Sequence, residues 1–294
     1  MSVNYHHLPV LSKEVIEFLN IKNGGTIVDC TLGGGGHTEN ILASIRPSPS
    51  NKVRVIGIDM DREALGAAKK RLKQFKNIEY VNGNFKNLGK IVKKPVDGIL
   101  FDLGISSYQI DEPSRGFSFQ KDGPLDMRMD KEQALNAKDL INDSSPEELN
   151  QIFWQYGEER FSRRIVKAAM KERENREITT TFQLKEIIEK AIPTWRKRES
   201  VSRIFQALRI EVNGELENLK TALQAAVQLL NPGGRLVVIA YHSLEDRIVK
   251  HIFKKAQVEK SLKILTKKPL TPSADEIVSN PRAKSAKLRA AEKI

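Results

Sequence analysis

Acidic, glycine and aromatic residues recur in this chain at the ends of short apolar runs, and chemistry is expected there. The clearest stretch is Thr26-Ile-Val-Asp-Cys-Thr-Leu-Gly-Gly-Gly-Gly-His37, a β-branched run, an acid, four consecutive glycines and a histidine. It reads as a strand, a tight turn and a helix start. Glycines at such a turn let the backbone adopt dihedrals closed to other residues and let a ligand approach with no Cβ in the way. The stretch suits a nucleotide-like cofactor, and a Gly-rich connector without a ligand is the competing explanation. Other apolar runs end on Asp59 and Asp61, on Asn84-Phe85, on Asp102 and on Tyr241-His242-Ser243. An acid 23 residues past Gly36 suits hydrogen bonds from ribose hydroxyls, whereas a helix cap is the alternative, since Asp59 and Asp61 both precede Arg62-Glu-Ala-Leu.

Glycine spacing separates two cofactors that share this layout. A dinucleotide fingerprint needs G-x-G-x-x-G, and the third glycine would fall at Thr38 counting from Gly33 or at Glu39 counting from Gly34. S-adenosylmethionine has no pyrophosphate to seat on a helix N-terminus, so an acid and a looser glycine turn suffice for its amino-acid end and ribose. Methyl transfer is therefore the leading reaction. Five scattered histidines and one cysteine show no metal-ligand spacing, so no metal is expected. Cys30 cannot form an internal disulfide, and its place at a strand end suggests a small buried hydrophobe.

The elements that must position these residues follow from periodicity. Ser12 is expected to cap a helix over 13–20. A helix over 37–45, a breaker-rich loop over 46–52, a strand over 53–59, a helix over 62–74 and strands over 78–82, 96–102 and 235–241 follow. Near-continuous apolar strands separated by helices describe an α/β, doubly wound parallel sheet covered on both faces, with ligands beyond the carboxyl ends of the strands. Between 111 and about 200 the rhythm breaks into charged helical segments over 147–156, 158–173 and 181–191, with apolar stripes such as Phe161, Ile165 and Ala168, or Phe182, Ile187 and Ala191. Residues 111–130, rich in Gly and Asp, read as an ordered loop near the site. The expected organisation is a sheet domain over 1–110, an inserted helical subdomain over 111–202 and a return to the sheet domain over 203–294, where Asn231-Pro-Gly-Gly turns the chain into its next strand.

The 294 residues carry a net charge of +12, and residues 254–294 hold 11 Lys/Arg against 4 Asp/Glu. A second cluster, Arg160, Arg163, Arg164, Lys167 and Lys171, recurs at helical spacing. Two separated basic surfaces favour a polyanion, RNA first, over a merely solvated surface. No run approaches the ~18 apolar residues of a membrane span and no signal peptide opens the sequence, so a cytoplasmic protein without membrane contact is expected. The oligomeric state stays open, a homodimer included.

Longer strings carry a specific resemblance. They are Leu8-Pro-Val-Leu, residues 29–37, Asp102-Leu-Gly-Ile-Ser-Ser, Arg115-Gly-Phe-Ser-Phe with Asp122-Gly-Pro-Leu-Asp-Met-Arg-Met129, Tyr156-Gly-Glu-Glu-Arg-Phe161, Phe205-Gln-Ala-Leu-Arg-Ile210 with Val212-Asn-Gly-Glu-Leu216, His242-Ser-Leu-Glu-Asp-Arg-Ile-Val249 and Asn280-Pro-Arg to Lys287-Leu-Arg289. Together they resemble the bacterial 16S ribosomal RNA cytosine-N4 methyltransferases nearly end to end. The resemblance implies a Rossmann-like S-adenosylmethionine-dependent methyltransferase sheet with a helical insertion, acting on a cytidine of the decoding centre in assembled small subunits. It assigns cofactor contacts to Gly35, Gly36, His37, Asp59, Phe85, Asp102 and Gln109, with Phe85 against the adenine or, alternatively, in the core. Tyr108, where the family usually has proline, and Ser200-Val-Ser202, in place of a His/Pro-containing stretch, depart from the pattern.

The reactants set the mechanistic demand. The cytosine amine is a poor nucleophile because its lone pair conjugates with the ring, so nitrogen, methyl carbon and sulfur must be placed in line while an acceptor takes a hydrogen bond from the amine. Asp102 or a backbone carbonyl of Leu103-Gly104 suits that role. His242 is a second candidate, unless it merely flanks a helix whose capping box is Ser243-Leu-Glu-Asp246. Tyr108, Phe117 and Tyr241 are the candidates to hold the base. A non-catalytic RNA-binding ribosome assembly factor with the same fold is the alternative function, and a nicotinamide oxidoreductase is disfavoured by the glycine spacing.

Overall fold

Alternate residues of the apolar runs point to opposite faces of one sheet. The structure is a computed structural model that describes residues 9–22, 24–45 and 53–294; the loop expected over 46–52 and Leu8 of the first motif lie outside them. In chain order the elements begin α1 (Ser12–Leu19), β1 (Thr26–Asp29), α2 (Gly36–Ser44), β2 (Arg54–Asp59), α3 (Arg62–Arg71), β3 (Ile78–Asn82), a 3-10 turn Phe85–Asn87, α4 (Leu88–Ile91) and β4 (Val96–Asp102). Then come α5 (Ser107–Asp111), α6 (Ala137–Asp143), α7 (Pro146–Gln155), α8 (Ser162–Arg173), α9 (Thr181–Ala191) and α10 (Lys197–Asn213). The chain closes with α11 (Glu215–Leu229), β5 (Leu230–Ala240), α12 (Ser243–Val258), β6 (Leu262–Ile264), α13 (Ala274–Ser279) and β7 (Lys287–Lys293). Two compact units result, Met1–Gly104 with Leu216–Ile294, and Ile105–Glu215.

The first unit holds a seven-stranded sheet in the order β3-β2-β1-β4-β5-β7-β6, with β1 to β5 parallel and β7 antiparallel to both neighbours. A dinucleotide-binding sheet of the usual kind runs 3-2-1-4-5-6, and the antiparallel strand placed between β5 and β6 departs from it. Along β4 and β5, Ile99, Phe101, Leu236 and Val238 enter one core with α4, α11 and α12, while Leu100, Val237 and Ile239 enter the opposite core with α1 and α2. This two-sided burial is why the strands read as continuous apolar runs. Cys30 is buried in the first of these cores, as expected of a small hydrophobe.

Several local expectations are corrected. Ser12 does not cap α1: Leu11 holds the cap position at φ 52° without a side-chain bond, and Ser12 Oγ instead accepts from Asn40 Nδ2 at 2.6 Å. Asn231-Pro-Gly-Gly does not precede β5 but bulges out within it, because Val96 pairs with Leu230 and Gly98 already with Arg235. Asn231 Nδ2 fastens the bulge to Asp97 Oδ1 at 2.9 Å. The basic segment over 254–294 is no tail, since it supplies β6 and β7, and Arg289 is buried against Asp246 at 2.6 Å. α10 runs unbroken across the division drawn at 202. Among the described residues no helix is long and apolar enough to cross a membrane.

The second unit is helical, and the only β feature described in it is the isolated bridge Pro124–Thr180. Leu149, Phe153, Ile165, Leu184, Ile188 and Leu208 build its core. Phe182, expected on the α9 stripe, is exposed, and Asp122 Oδ1 accepts from its backbone N–H at 3.0 Å. The motif residues over 115–129 are an ordered loop wrapped on a buried guanidinium: Arg115 is 2% exposed, and its Nη2 donates to the carbonyls of Arg128 and Met129 at 2.9 and 3.1 Å. Asn213 ties the same loop to α10, donating to the Met127 carbonyl and accepting from the Met129 N–H. Replacing Arg115 with Met keeps the packing volume but orphans two carbonyls, at about 1–3 kcal/mol each. Urea denaturation of Arg115→Met is expected to show a loss of about 2–6 kcal/mol, and a loss below about 0.5 kcal/mol would contradict this role of Arg115 in the loop.

Candidate cofactor and active site

Strand order reverses between β1 and β4, and the carboxyl ends there form the crevice in which open parallel sheets bind ligands. The glycine loop leaves β1 on this side. Gly35 caps α2 at φ 82°, and a Cβ at that position would lie 2.9 Å from Leu72 Cδ1, so only glycine fits the turn. Two carboxylates fasten the loop to the sheet. Asp29, 1% exposed, accepts from the Thr38 hydroxyl at 2.7 Å and the Thr31 N–H at 3.2 Å. Asp59 accepts from the Gly33 N–H at 2.7 Å and the Asp61 N–H at 2.8 Å.

Asp59 is therefore not the helix cap. Asp61 caps α3 by accepting from the N–H groups of Glu63 and Ala64, which leaves the β2-end carboxylate facing the loop. Burial pushes the Asp59 carboxyl up to about 6, although the Asp61 and Gly33 amides pull it down. Burial likewise raises Asp29, against the lowering effects of Thr38, His37 and Thr31.

The end of β4 carries the second cluster. The Asp102 N–H donates to Thr31 Oγ1 at 2.7 Å, its Oδ1 accepts from the Tyr241 hydroxyl at 2.8 Å, and its Oδ2 lies 3.3 Å from His37 Nε2. Gly104, at φ 109°, leaves room for this tyrosine, since a Cβ there would sit 3.1 Å from the ring. Burial and the neighbouring Asp102 push the Tyr241 hydroxyl well above its usual range, so it stays protonated and donates. Burial lowers the affinity of His37 for a proton, but Asp102 and Asp29 outweigh it and raise the imidazole overall. Among the described residues neither buried ring nitrogen of His37 has a hydrogen-bond partner of good geometry, Nε2 meeting Asp102 only as a 3.3 Å ion pair. An unsatisfied buried polar group is costly, and a ligand in the crevice would complete it.

The remaining expected residues divide. Phe85 follows β3 in the 3-10 turn, half-buried, with its ring edge-on to Phe101 at 5.7 Å. His242 is itself the N-cap of α12: its Nδ1 accepts from the Glu245 N–H, while Glu245 accepts from the N–H groups of His242 and Tyr241. The box expected at Ser243 and Asp246 thus starts one residue earlier. Gln109 lies in the helical unit, where its Oε1 accepts from the Ser106 N–H in the capping box of α5. Phe117 is buried among the core residues of that unit. Ser200 and Val201 are buried within α10, and Ser202 is exposed. Sequence reasoning missed Thr31 and Thr38 as the partners of Asp102 and Asp29. Their positions two and nine residues past Asp29 give no pattern that distinguishes them from other helix-start threonines.

Residues 4–294 match the MraW methylase family. The chain belongs to that family. It is 48% identical to "Ribosomal RNA small subunit methyltransferase H" of Carboxydothermus hydrogenoformans, with 99% of each chain covered, and 46% identical to the protein of that name in Halothermothrix orenii, with 98% of each covered. Among solved structures, an rRNA methylase from Streptococcus thermophilus aligns with a TM-score of 0.45 at 14% identity, over 96% of this chain and 93% of that one. Family membership makes the chain a methyltransferase that uses S-adenosylmethionine as its methyl donor. The buried His37 nitrogens, and the turn in which Gly35 at φ 82° has no space for a Cβ, fit such a group.

The Asp29 bond is open to a direct test. Thr38→Val is isosteric but removes a hydroxyl from a buried carboxylate, and hydrogen bonds to charged groups contribute about 1.5–3 kcal/mol. The Asp29 carboxyl is raised in the folded state, so stability is greatest where it is protonated and falls as pH rises through its folded value. Losing Thr38 raises that value further. The difference in thermal midpoint between variant and wild type is expected to be largest near pH 8 and to shrink on acidification; a difference independent of pH would show that Asp29 does not depend on Thr38.

Proposed function

We propose that this chain transfers the methyl group of S-adenosylmethionine to the exocyclic N4 amine of a cytidine in the decoding centre of 16S rRNA, with the small ribosomal subunit as substrate. The name borne by its relatives supports rRNA of the small subunit as the target, and the motif resemblance supports the cytosine amine. The observation that carries the reading is the Asp102 carboxylate, partly exposed beside the glycine loop and oriented by Tyr241. Asp29 is buried and Asp59 fastens the glycine loop at the end of β2, so Asp102, partly exposed at the end of β4, is the carboxylate best placed for an incoming amine.

When bound, S-adenosylmethionine supplies an electrophilic sulfonium methyl. Gly35, Gly36 and His37 would hold its amino-acid end, Asp59 its ribose and Phe85 its adenine, with Gln109 carried over from the motif resemblance alone. Asp102 accepts a hydrogen bond from the cytosine amine, which draws the nitrogen lone pair out of conjugation and aims it. Tyr241 keeps Oδ1 in place, a positioning role in place of the base-stacking one considered from sequence. His242 is occupied as a cap and acts through the backbone of α12. Arg163, Lys167 and Lys171 on α8, with Arg160 before it, are exposed and without ion-pair partners among the described residues, a surface suited to RNA phosphates. The alternative of a non-catalytic assembly factor predicts the same RNA surface with no need for an oriented Asp102.

Two measurements test this. Labelled S-adenosylmethionine incubated with unmodified small subunits is expected to yield N4-methylcytidine on digestion; label in adenosine or protein alone would refute the assignment. In that assay Asp102→Ala is expected to lower kcat by about 100-fold or more, and Tyr241→Phe, which removes one hydrogen bond of about 1 kcal/mol, by about fivefold. Full turnover in Asp102→Ala would return the role to a backbone carbonyl. Separately, ribose hydroxyls need an ionised Asp59 to accept from them, so donor affinity measured by calorimetry is expected to be flat above pH 7 and to weaken as pH falls through about 6. A profile unchanged down to pH 5 would remove Asp59 from the ribose site.

A further inference from the structure

The chain has two tryptophans, Trp154 and Trp195, and both are exposed, Trp195 the more so at 74%. Tryptophan is on average a well-buried residue, and an indole left in water marks a surface that meets something. Trp195 lies in the stretch Pro193-Thr-Trp-Arg-Lys-Arg198, which opens α10. None of residues 193–198 belongs to the helical core cluster.

The ring is held from one side. The Arg196 guanidinium lies 4.7 Å from its centroid, within cation–π range. That guanidinium is itself fastened, with Nη1 on Glu199 Oε2 at 2.6 Å, while Glu199 Oε1 takes Arg203 Nη2 at 2.6 Å. The carboxylate is shared between two arginines, so the run keeps positive charge to spare. Lys197 and Arg198 have no ion-pair partner among the described residues. A pre-positioned indole, backed by a cation and flanked by two unspent cations, has the composition of a base-stacking platform rather than of a protein interface, whose core is depleted in lysine.

We propose that Trp195 stacks on an unpaired base of the RNA substrate while Lys197 and Arg198 meet the flanking phosphates. The proposal rests on the rRNA reading above and adds to it a contact that selects single-stranded RNA, since only an unstacked base offers its face to an indole.

The test uses the full chain. In Trp154→Phe protein the indole of Trp195 is the sole tryptophan emitter, and a short oligocytidylate is expected to quench it saturably, whereas a duplex of similar length quenches it weakly. By anisotropy of a labelled oligocytidylate, Trp195→Ala is expected to bind about 10- to 100-fold more weakly, Trp195→Phe to recover most of the affinity, and Lys197→Ala with Arg198→Ala to flatten the salt dependence. With unmodified small subunits, Trp195→Ala is expected to raise KM about tenfold with kcat nearly retained. If wild-type protein methylates subunits while Trp195→Ala matches it in KM and in oligonucleotide affinity, the platform is overturned and the rRNA reading stands. If wild-type protein fails to methylate subunits yet quenching depends on Trp195, the substrate assignment fails and the platform stands. Unchanged RNA affinity together with an altered sedimentation coefficient in Trp195→Ala would identify a contact between copies of the chain and refute the proposal.

Discussion

The bond from the Gly33 amide to the Asp59 carboxylate governs the arrangement of the crevice. It joins a loop that has no side chains of its own to the end of β2, 26 residues later, and the pairing of β1 with β2 carries that constraint into the sheet. A glycine turn left alone would sample many conformations, because glycine loses the most freedom on ordering. Two carboxylates, Asp29 buried and Asp59 partly so, offset that cost by accepting amides and a hydroxyl from the loop and the first turn of α2. The burial that makes these bonds effective also raises both acids. The site is thus held by groups whose ionisation depends on the contacts they make.

A second level of organisation links β4 to β5. Thr31 fixes the backbone of Asp102, Tyr241 fixes its side chain, and Gly104 leaves room for the tyrosine ring. Tyr241 can reach Asp102 because the register of β4 with β5 pairs Asp102 with Ile239, two residues before the tyrosine. The α12 cap holds the same tyrosine from behind, as Glu245 accepts from its N–H. Three sequence-distant segments therefore converge on one carboxylate, and changing any of them alters its orientation before it alters its charge.

In the helical unit several of the family-like strings build structure. Arg115, Asp122, Asn213 and the residues around them spend their polar atoms on one another's backbone, which orders a long loop without strands. What faces solvent there is different in kind: Arg163, Lys167 and Lys171 of α8, and Lys197 and Arg198 beside Trp195, have no ion-pair partner among the described residues.

Much of this was legible from the sequence. Apolar runs of five to seven residues between helical stretches dictated a parallel sheet buried on both faces, and glycine spacing separated a methyl donor from a dinucleotide. Asp29, Asp59 and Asp102 were legible because strand ends in such a sheet are where ligands bind. The sequence could not tell which carboxylate caps a helix and which faces the loop, since Asp59 and Asp61 differ only in where the chain turns after β2. Nor could it show that the basic residues past 254 include two strands, because antiparallel pairing of β7 with β5 is a contact about 50 residues apart in the chain. Local pattern determined which residues sit at strand ends, because alternation and turn chemistry are properties of neighbours. Partnership was decided by the tertiary structure alone: Tyr241 with Asp102, Thr38 with Asp29 and Arg115 with the carbonyls of its loop depend on register and burial, which bring together groups that nothing in their spacing connects.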